Sequence, residues 1–115
     1  MVSAHLPVAE TASYAEAFNA LGDPTRRAIF EQLAGGPMAV VEVSRRMPVS
    51  RPAVSQHLKI LMDAGLVTVE SEGRRNHYRI DPKGVLAMRD YLDGMWDVAL
   101  HAFKLAAENE RKKSK

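Results

Sequence analysis

Ser50-Arg51-Pro52-Ala53-Val54-Ser55-Gln56-His57-Leu58-Lys59-Ile60-Leu61-Met62-Asp63-Ala64-Gly65-Leu66-Val67 is the stretch on which the fold turns. Ser50 offers a hydroxyl to cap the first free N–H groups of a helix. Pro52 sits in the first turn, where a missing N–H costs little, and Val49 is placed to staple onto Val54. Val54, Leu58, Leu61 and Met62 recur at the spacing of one inward helix stripe. Gly65 predicts a left-handed C-cap, with Leu66 folding back onto the helix. Pro52, Ser55, Gln56, Lys59 and Asp63 then face outward. Between residues 49 and 60 the chain carries Arg51, His57 and Lys59 and no acid.

Past Gly65 the apolar period drops from that of a helix to that of a strand. Val67, Val69 and Ser71 alternate with polar neighbours, as do Tyr78 and Ile80, which predicts a β-hairpin turning over residues 73–76. Arg74, Arg75 and Asn76 lie at its tip, and Arg79 on the return strand. Upstream, Val40, Val43 and Met47 predict a short helix over residues 39–47. Before it, Asp23-Pro24 opens a helix that buries Ile29, Phe30 and Leu33 and stops at Gly35-Gly36-Pro37. Tyr14, Phe18 and Leu21 mark an earlier helix ended by Gly22.

Asp81-Pro82 repeats the cap-then-proline signal and opens a long helix towards Glu108. Its apolar positions are Val85, Met88, Leu92, Met95, Trp96, Ala99, Phe103 and Ala106. Gly94 interrupts it and predicts a possible break or kink. The expected organisation is a flexible arm over residues 1–12, one domain over 13–108, and a solvated basic tail over 109–115.

The order is helix, helix, short helix, turn, helix, hairpin, helix, so the fold class is mainly α with a small β-hairpin: a winged helix-turn-helix. A helix fits the major groove of double-stranded DNA, the one groove in which every base pair shows a distinct donor and acceptor pattern. On that reading Gln56 pairs with adenine, Ser55 bonds base edges, and Arg51 meets guanine or phosphate. Ser50 is counted among the DNA-binding residues, Lys59 meets phosphate, and His57 either packs or reaches a phosphate. A polar helix face alone is commonplace; a basic hairpin tip directly after it is not. Arg74, Arg75 and Asn76 suit a minor groove or the phosphate backbone.

The Ser50–Val67 string, with its Ser-x-His-Leu-Lys-x-Leu core and terminal Ala-Gly-Leu-Val, resembles the recognition-helix signature of the ArsR/SmtB (arsenic-repressor) family. Leu21-Gly22-Asp23-Pro24-Thr25-Arg26-Arg27 resembles the start of that family's second helix. The resemblance spans roughly residues 14–108. It implies a dimeric repressor whose first and last helices form the interface, which nominates Tyr14, Phe18, Leu92, Met95, Trp96, Ala99 and Phe103. Arg26 and Arg27 are expected to support structure rather than DNA. The long helix independently bears more apolar surface than a small helical core can cover.

Many relatives release DNA on binding metal. The cysteines of the thiol sensors are absent, since the chain has none and reads Ala39-Val40-Val41-Glu42-Val43 at the matching helix. Asp90, Asp93, Asp97 and His101 share one face of the last helix, but lack the Asp-x-His and His-x-x-Glu spacing of zinc sensors and lie away from the apolar stripe. No metal or other cofactor is expected, and the Met95-Trp96-Asp97…Phe103-Lys104 stretch resembles the metal-independent branch. Any inducer is left open.

The remaining composition sets bounds. The 115 residues make one domain, 46% hydrophobic, with a net charge of only +2, so the placement of charge matters more than its sum. Neither a signal peptide nor a membrane-length apolar run is read, which points to a cytoplasmic protein. No nucleophile motif, phosphate-cradling loop or HExxH is found among residues that include four scattered histidines, so an enzyme is not expected. The alternatives are a metal-responsive repressor of this fold, or a winged helix serving protein contacts. The acid-poor face with its basic wing argues against the latter.

Overall fold

Asp23 is the hinge between the first two helices. Its backbone is extended, and its carboxylate accepts from the N–H of Arg26 at 2.8 Å, so α1 (Val8–Gly22) ends and α2 (Pro24–Leu33) begins across a single residue. The computed structural model describes residues 8–113, with side chains from residue 14 onward. Arg26 and Arg27 then turn back on α1: the Arg26 Nε donates to the carbonyl of Ala20 and the Arg27 Nη1 to that of Leu21, each at 2.7 Å. Both are carbonyls of the last helical turn that otherwise lack partners. The expectation that these arginines serve structure agrees with this geometry.

The short helix α3 (Val40–Arg45) is tighter than the expected 39–47. The Glu42 carboxylate reaches back to the N–H of Ala39 at 2.9 Å and fixes its start. The next helix, α4 (Arg51–Asp63), is capped by Ser50, whose Oγ accepts from the N–H of Ala53 at 3.3 Å. At the other end Leu66 N–H bonds the Leu61 carbonyl at 2.9 Å and Gly65 N–H that of Met62 at 3.0 Å. With Gly65 at φ +76°, this is a Schellman closure, which glycine adopts without strain.

The wing follows at once. Strands β1 (Val67–Glu72) and β2 (Arg75–Ile80) pair antiparallel, with Val67 opposite Ile80 and Glu72 opposite Arg75. The turn is Gly73-Arg74 alone, shorter than the expected 73–76. Glycine comes first with φ +64° and Arg74 has negative φ, the pattern of a II′ hairpin. Arg75 and Asn76 are thus strand residues. Ser71, in phase with Val67 and Val69, is exposed, because the outer half of the wing has no core beneath it. Met38 and Tyr78 exchange backbone hydrogen bonds at 2.9 and 2.8 Å, a short third rung at the wing's base that sequence reading did not foresee.

Helix α5 (Pro82–Lys113) is one unbroken element through Gly94. Its start is pressed onto the Gly65 turn: Gly84 is buried and its N–H donates to the Gly65 carbonyl at 2.8 Å. Boundaries at both termini differ from expectation. Residues 8–12, assigned to the arm, form the opening turns of α1, and 109–113, assigned to the tail, close α5; residues 1–7 and 114–115 lie outside the described residues. Amphipathic helices continue past the last clear apolar signal because each further residue adds a backbone hydrogen bond. The core comprises Ile29 and Leu33 of α2, Val43 of α3 and Val54, Leu58 and Leu61 of α4, closed by Leu66.

Candidate nucleic-acid interface

The inward stripe of α4 dictates what remains outside. Val54, Leu58 and Leu61 are fully buried, and Arg51, Ser55, Gln56 and Lys59 are exposed on the opposite side. Ser50 is exposed too, but its Oγ is engaged as a cap, which leaves its hydroxyl hydrogen for an outside acceptor. His57 is half-buried and its Nδ1 is buried without a hydrogen-bond partner among the described residues. Its ring packs at the edge of the core rather than standing on the open face. Ile60 is 43% exposed one turn beyond Gln56, an apolar side chain on this face that the stripe pattern did not single out.

Two cations near this face are already paired. Lys59 Nζ lies 3.5 Å from the Asp63 carboxylate one turn on, both side chains well exposed. On the wing, Arg79 pairs with Glu70, and His77 Nδ1 lies 3.7 Å from the Glu72 carboxylate. Asn76 accepts from the Ser71 hydroxyl at 2.9 Å, which orients its amide. Arg51, Arg74 and Arg75 form no ion pair among the described residues and are exposed. Of the cations nominated from the sequence, the open ones are those at the first turn of α4 and at the wing tip.

The other nominated residues fall on α1 and α5. Tyr14 stacks on Tyr91 with ring centroids 4.2 Å apart, and Phe18 meets both rings edge-on. Tyr91 was missed by sequence reading, although it continues the spacing of Gly84, Ala87 and Met88, the positions of α5 that are covered. Val85, expected inside, is 37% exposed because the helix is rotated by one residue from the predicted stripe. Leu92, Met95, Trp96 and Phe103 are between 46% and 71% exposed, and Ala99 is exposed beside them. Nothing among the described residues covers this surface.

Asp90, Asp93, Asp97 and His101 are all exposed, and among the described residues no three potential ligands converge on a metal-sized site. No helix among the described residues is long and apolar enough to cross a membrane.

A helix-turn-helix domain model matches residues 21–70, which takes in α2 to α4 and most of β1. The chain is 51% identical over 94 residues to the HTH-type transcriptional regulator Rv2034 of Mycobacterium tuberculosis, covering 82% of this chain and 88% of the relative. It superposes on an ArsR-like transcriptional regulator from Rhodococcus sp. RHA1 with a TM-score of 0.71 at 31% identity, over 86% of this chain and 96% of the other. The chain belongs to the ArsR family of transcriptional regulators. A further structural relative of this ArsR-family chain is the winged helix-turn-helix domain of Mb0332 from Mycobacterium bovis, described as homodimeric. There the TM-score is 0.64 at 26% identity, over 84% of this chain and 90% of that one.

Proposed function

We propose that this regulator binds a palindromic double-stranded DNA operator as a homodimer in the cytoplasm and represses the adjoining genes. The observation that carries the reading is the capped helix α4, which presents Arg51, Ser55, Gln56 and Lys59 outward and is followed directly by a wing tipped with Arg74 and Arg75. Gln56 and Ser55 are the base readers. Arg51, Arg74 and Arg75 hold the backbone, with Lys59, Asn76 and the Ser50 hydroxyl at its margins. His57, half-buried, supports the helix at the edge of the contact. Dimerisation through Tyr14, Phe18 and the exposed apolar residues of α5 is supported by the uncovered surface there and by the homodimeric relative. Two-fold symmetry would set two copies of α4 about 34–36 Å apart, one helical turn of DNA.

Selection of binding sites from a random duplex pool tests the reading: an inverted repeat is expected, and failure to enrich any sequence overturns it. On the selected site Gln56→Ala is expected to cost about 1–3 kcal/mol and relax preference at one position per half-site. Arg51, Lys59, Arg74 and Arg75 on two protomers would neutralise roughly six to eight phosphates, a log K against log salt slope of about −5 to −7. A salt-independent affinity would rule out this mode of binding.

A further inference from the structure

We infer that Arg89 and Glu110 form reciprocal ion pairs between two copies of α5, which fixes those helices antiparallel with the two-fold axis beside Ala99 and Leu100. The inference rests on dimerisation through α5 as read above, and adds its direction and register. From Arg89 the sequence steps by three and four in alternation through Leu92, Trp96, Ala99, Phe103 and Ala106 to Glu110. That spacing lays a single stripe along a helix that pairs with another helix. Every member of the stripe is exposed in the protomer. The stripe is apolar between its ends and charged at both, positive at one and negative at the other.

Two copies of α5 related by a two-fold axis can run either way. Run parallel, they set arginine against arginine at one end of the stripe and glutamate against glutamate at the other, which is repulsive twice over. Run antiparallel, they set Arg89 against the partner's Glu110 at both ends at once. The midpoint of Arg89 and Glu110 falls between Ala99 and Leu100, and so does the midpoint of Trp96 and Phe103. One register therefore makes both charge pairs and lays each Trp96 beside the partner's Phe103. A slip of one heptad shifts the helices by about 10 Å and parts both arginines from their carboxylates. Within its own chain Arg89 lies 3.9 Å from Asp90, with the side chains 66% and 71% exposed, a contact too weak to withhold it. Against the seam the interchain pair is better shielded from water and salt, and symmetry doubles it.

Charge exchange read by sedimentation, and cross-linking through introduced cysteines, test the inference on the full chain, which has no cysteine of its own. Arg89→Glu and Glu110→Arg should each weaken the dimer about fivefold to thirtyfold at low salt, since each turns two attractions into two repulsions. The loss should shrink as salt is added. Arg89→Glu combined with Glu110→Arg should bring the dimer back to within about threefold of the unaltered protein. A parallel dimer would be indifferent to either single exchange, so unchanged affinities overturn the inference, as does a double variant as weak as its two parents combined. Cross-linking gives the register even where the dimer is too tight to dissociate. Ala99→Cys, beside the axis, should yield disulfide-linked dimers on oxidation. Leu92→Cys and Ala106→Cys should cross-link when the two variants are unfolded together and refolded as a mixture, and neither should do so alone. Dimers of Leu92→Cys or Ala106→Cys linked to themselves would show parallel helices and overturn the inference. An unaltered protein that sediments as a monomer would instead refute the dimer reading on which it rests.

Discussion

At the residue scale, the sharpest constraint in the molecule lies where α5 meets the end of α4. A Cβ placed on Gly84 would stand 2.6 Å from the Gly65 carbonyl oxygen and 2.9 Å from its carbon, both backbone atoms that cannot swing aside. Gly84→Ala is therefore expected to destabilise the fold by about 1–3 kcal/mol, as overpacking does elsewhere. Denaturant titration checks this; an unchanged midpoint would mean that α5 can lift off the Gly65 turn at no cost. Asp23 is constrained differently. The N–H of Arg26 donates to its carboxylate and holds its pKa below the ordinary value of 3.8, assisted by the charges of Arg26 and His57. A depressed folded-state pKa stabilises above the unfolded value and is lost as pH falls through the folded one. The difference in Tm between Asp23→Ala and the unaltered protein should accordingly be full at neutral pH and shrink only below about pH 4. A gap that stays constant into the acid range would mean that the charge of the cap is immaterial.

At the element scale, α2, α4 and the wing were legible because each is punctuated locally. Asp23-Pro24, Ser50 and Gly65 fix ends through hydrogen bonds within a few residues of themselves, and stripe or alternation gives the faces. Base-reading candidates followed directly, since whatever opposes Val54, Leu58 and Leu61 must be outside. What stayed hidden depended on partners distant in sequence. The Met38–Tyr78 rung joins residues 40 positions apart, and Tyr91 becomes a packing residue only because Tyr14 lies across from it. The ion pairs that engage Lys59 and Arg79 were likewise unread: one joins i and i+4 charges of a helix, the other spans the two strands of the wing, and both depend on rotamers. Gly94 shows the limit of punctuation. It suggested a break, but 32 residues of helix run through it, and an added Cβ would meet nothing within 4 Å in this chain. Gly94→Ala should raise the Tm, by about 1 kcal/mol of stability at most, through helix propensity alone. If the substitution instead weakens dimers in sedimentation, Gly94 is where two copies approach closely.

At the scale of the whole molecule, one chain does not account for its own shape. Its radius of gyration is 19.5 Å, with a long dimension of 72 Å. A compact chain of this length would have a radius of about 13 Å. The excess is α5, about 48 Å of helix at the usual rise, of which every residue after Tyr91 that is described is exposed. Trp96 at 66% and Phe103 at 71% exposure head an apolar surface that a monomer would present to water along most of that length. Such a surface is stable in solution only when covered, and a second copy with the same helix covers it symmetrically. Trp96→Asp combined with Phe103→Asp places two carboxylates per protomer where that contact would be, yet touches no side chain in the core of α2 to α4. The expected result is a folded or partly folded monomer by sedimentation whose operator affinity collapses, although Arg51, Ser55, Gln56 and the wing are intact. The loss follows from geometry: a lone α4 reads one half-site, and the gain from binding both half-sites as a single body disappears. A double variant that remains dimeric and binds the operator normally would move the interface off α5 and leave the exposed Trp96 face to some other partner.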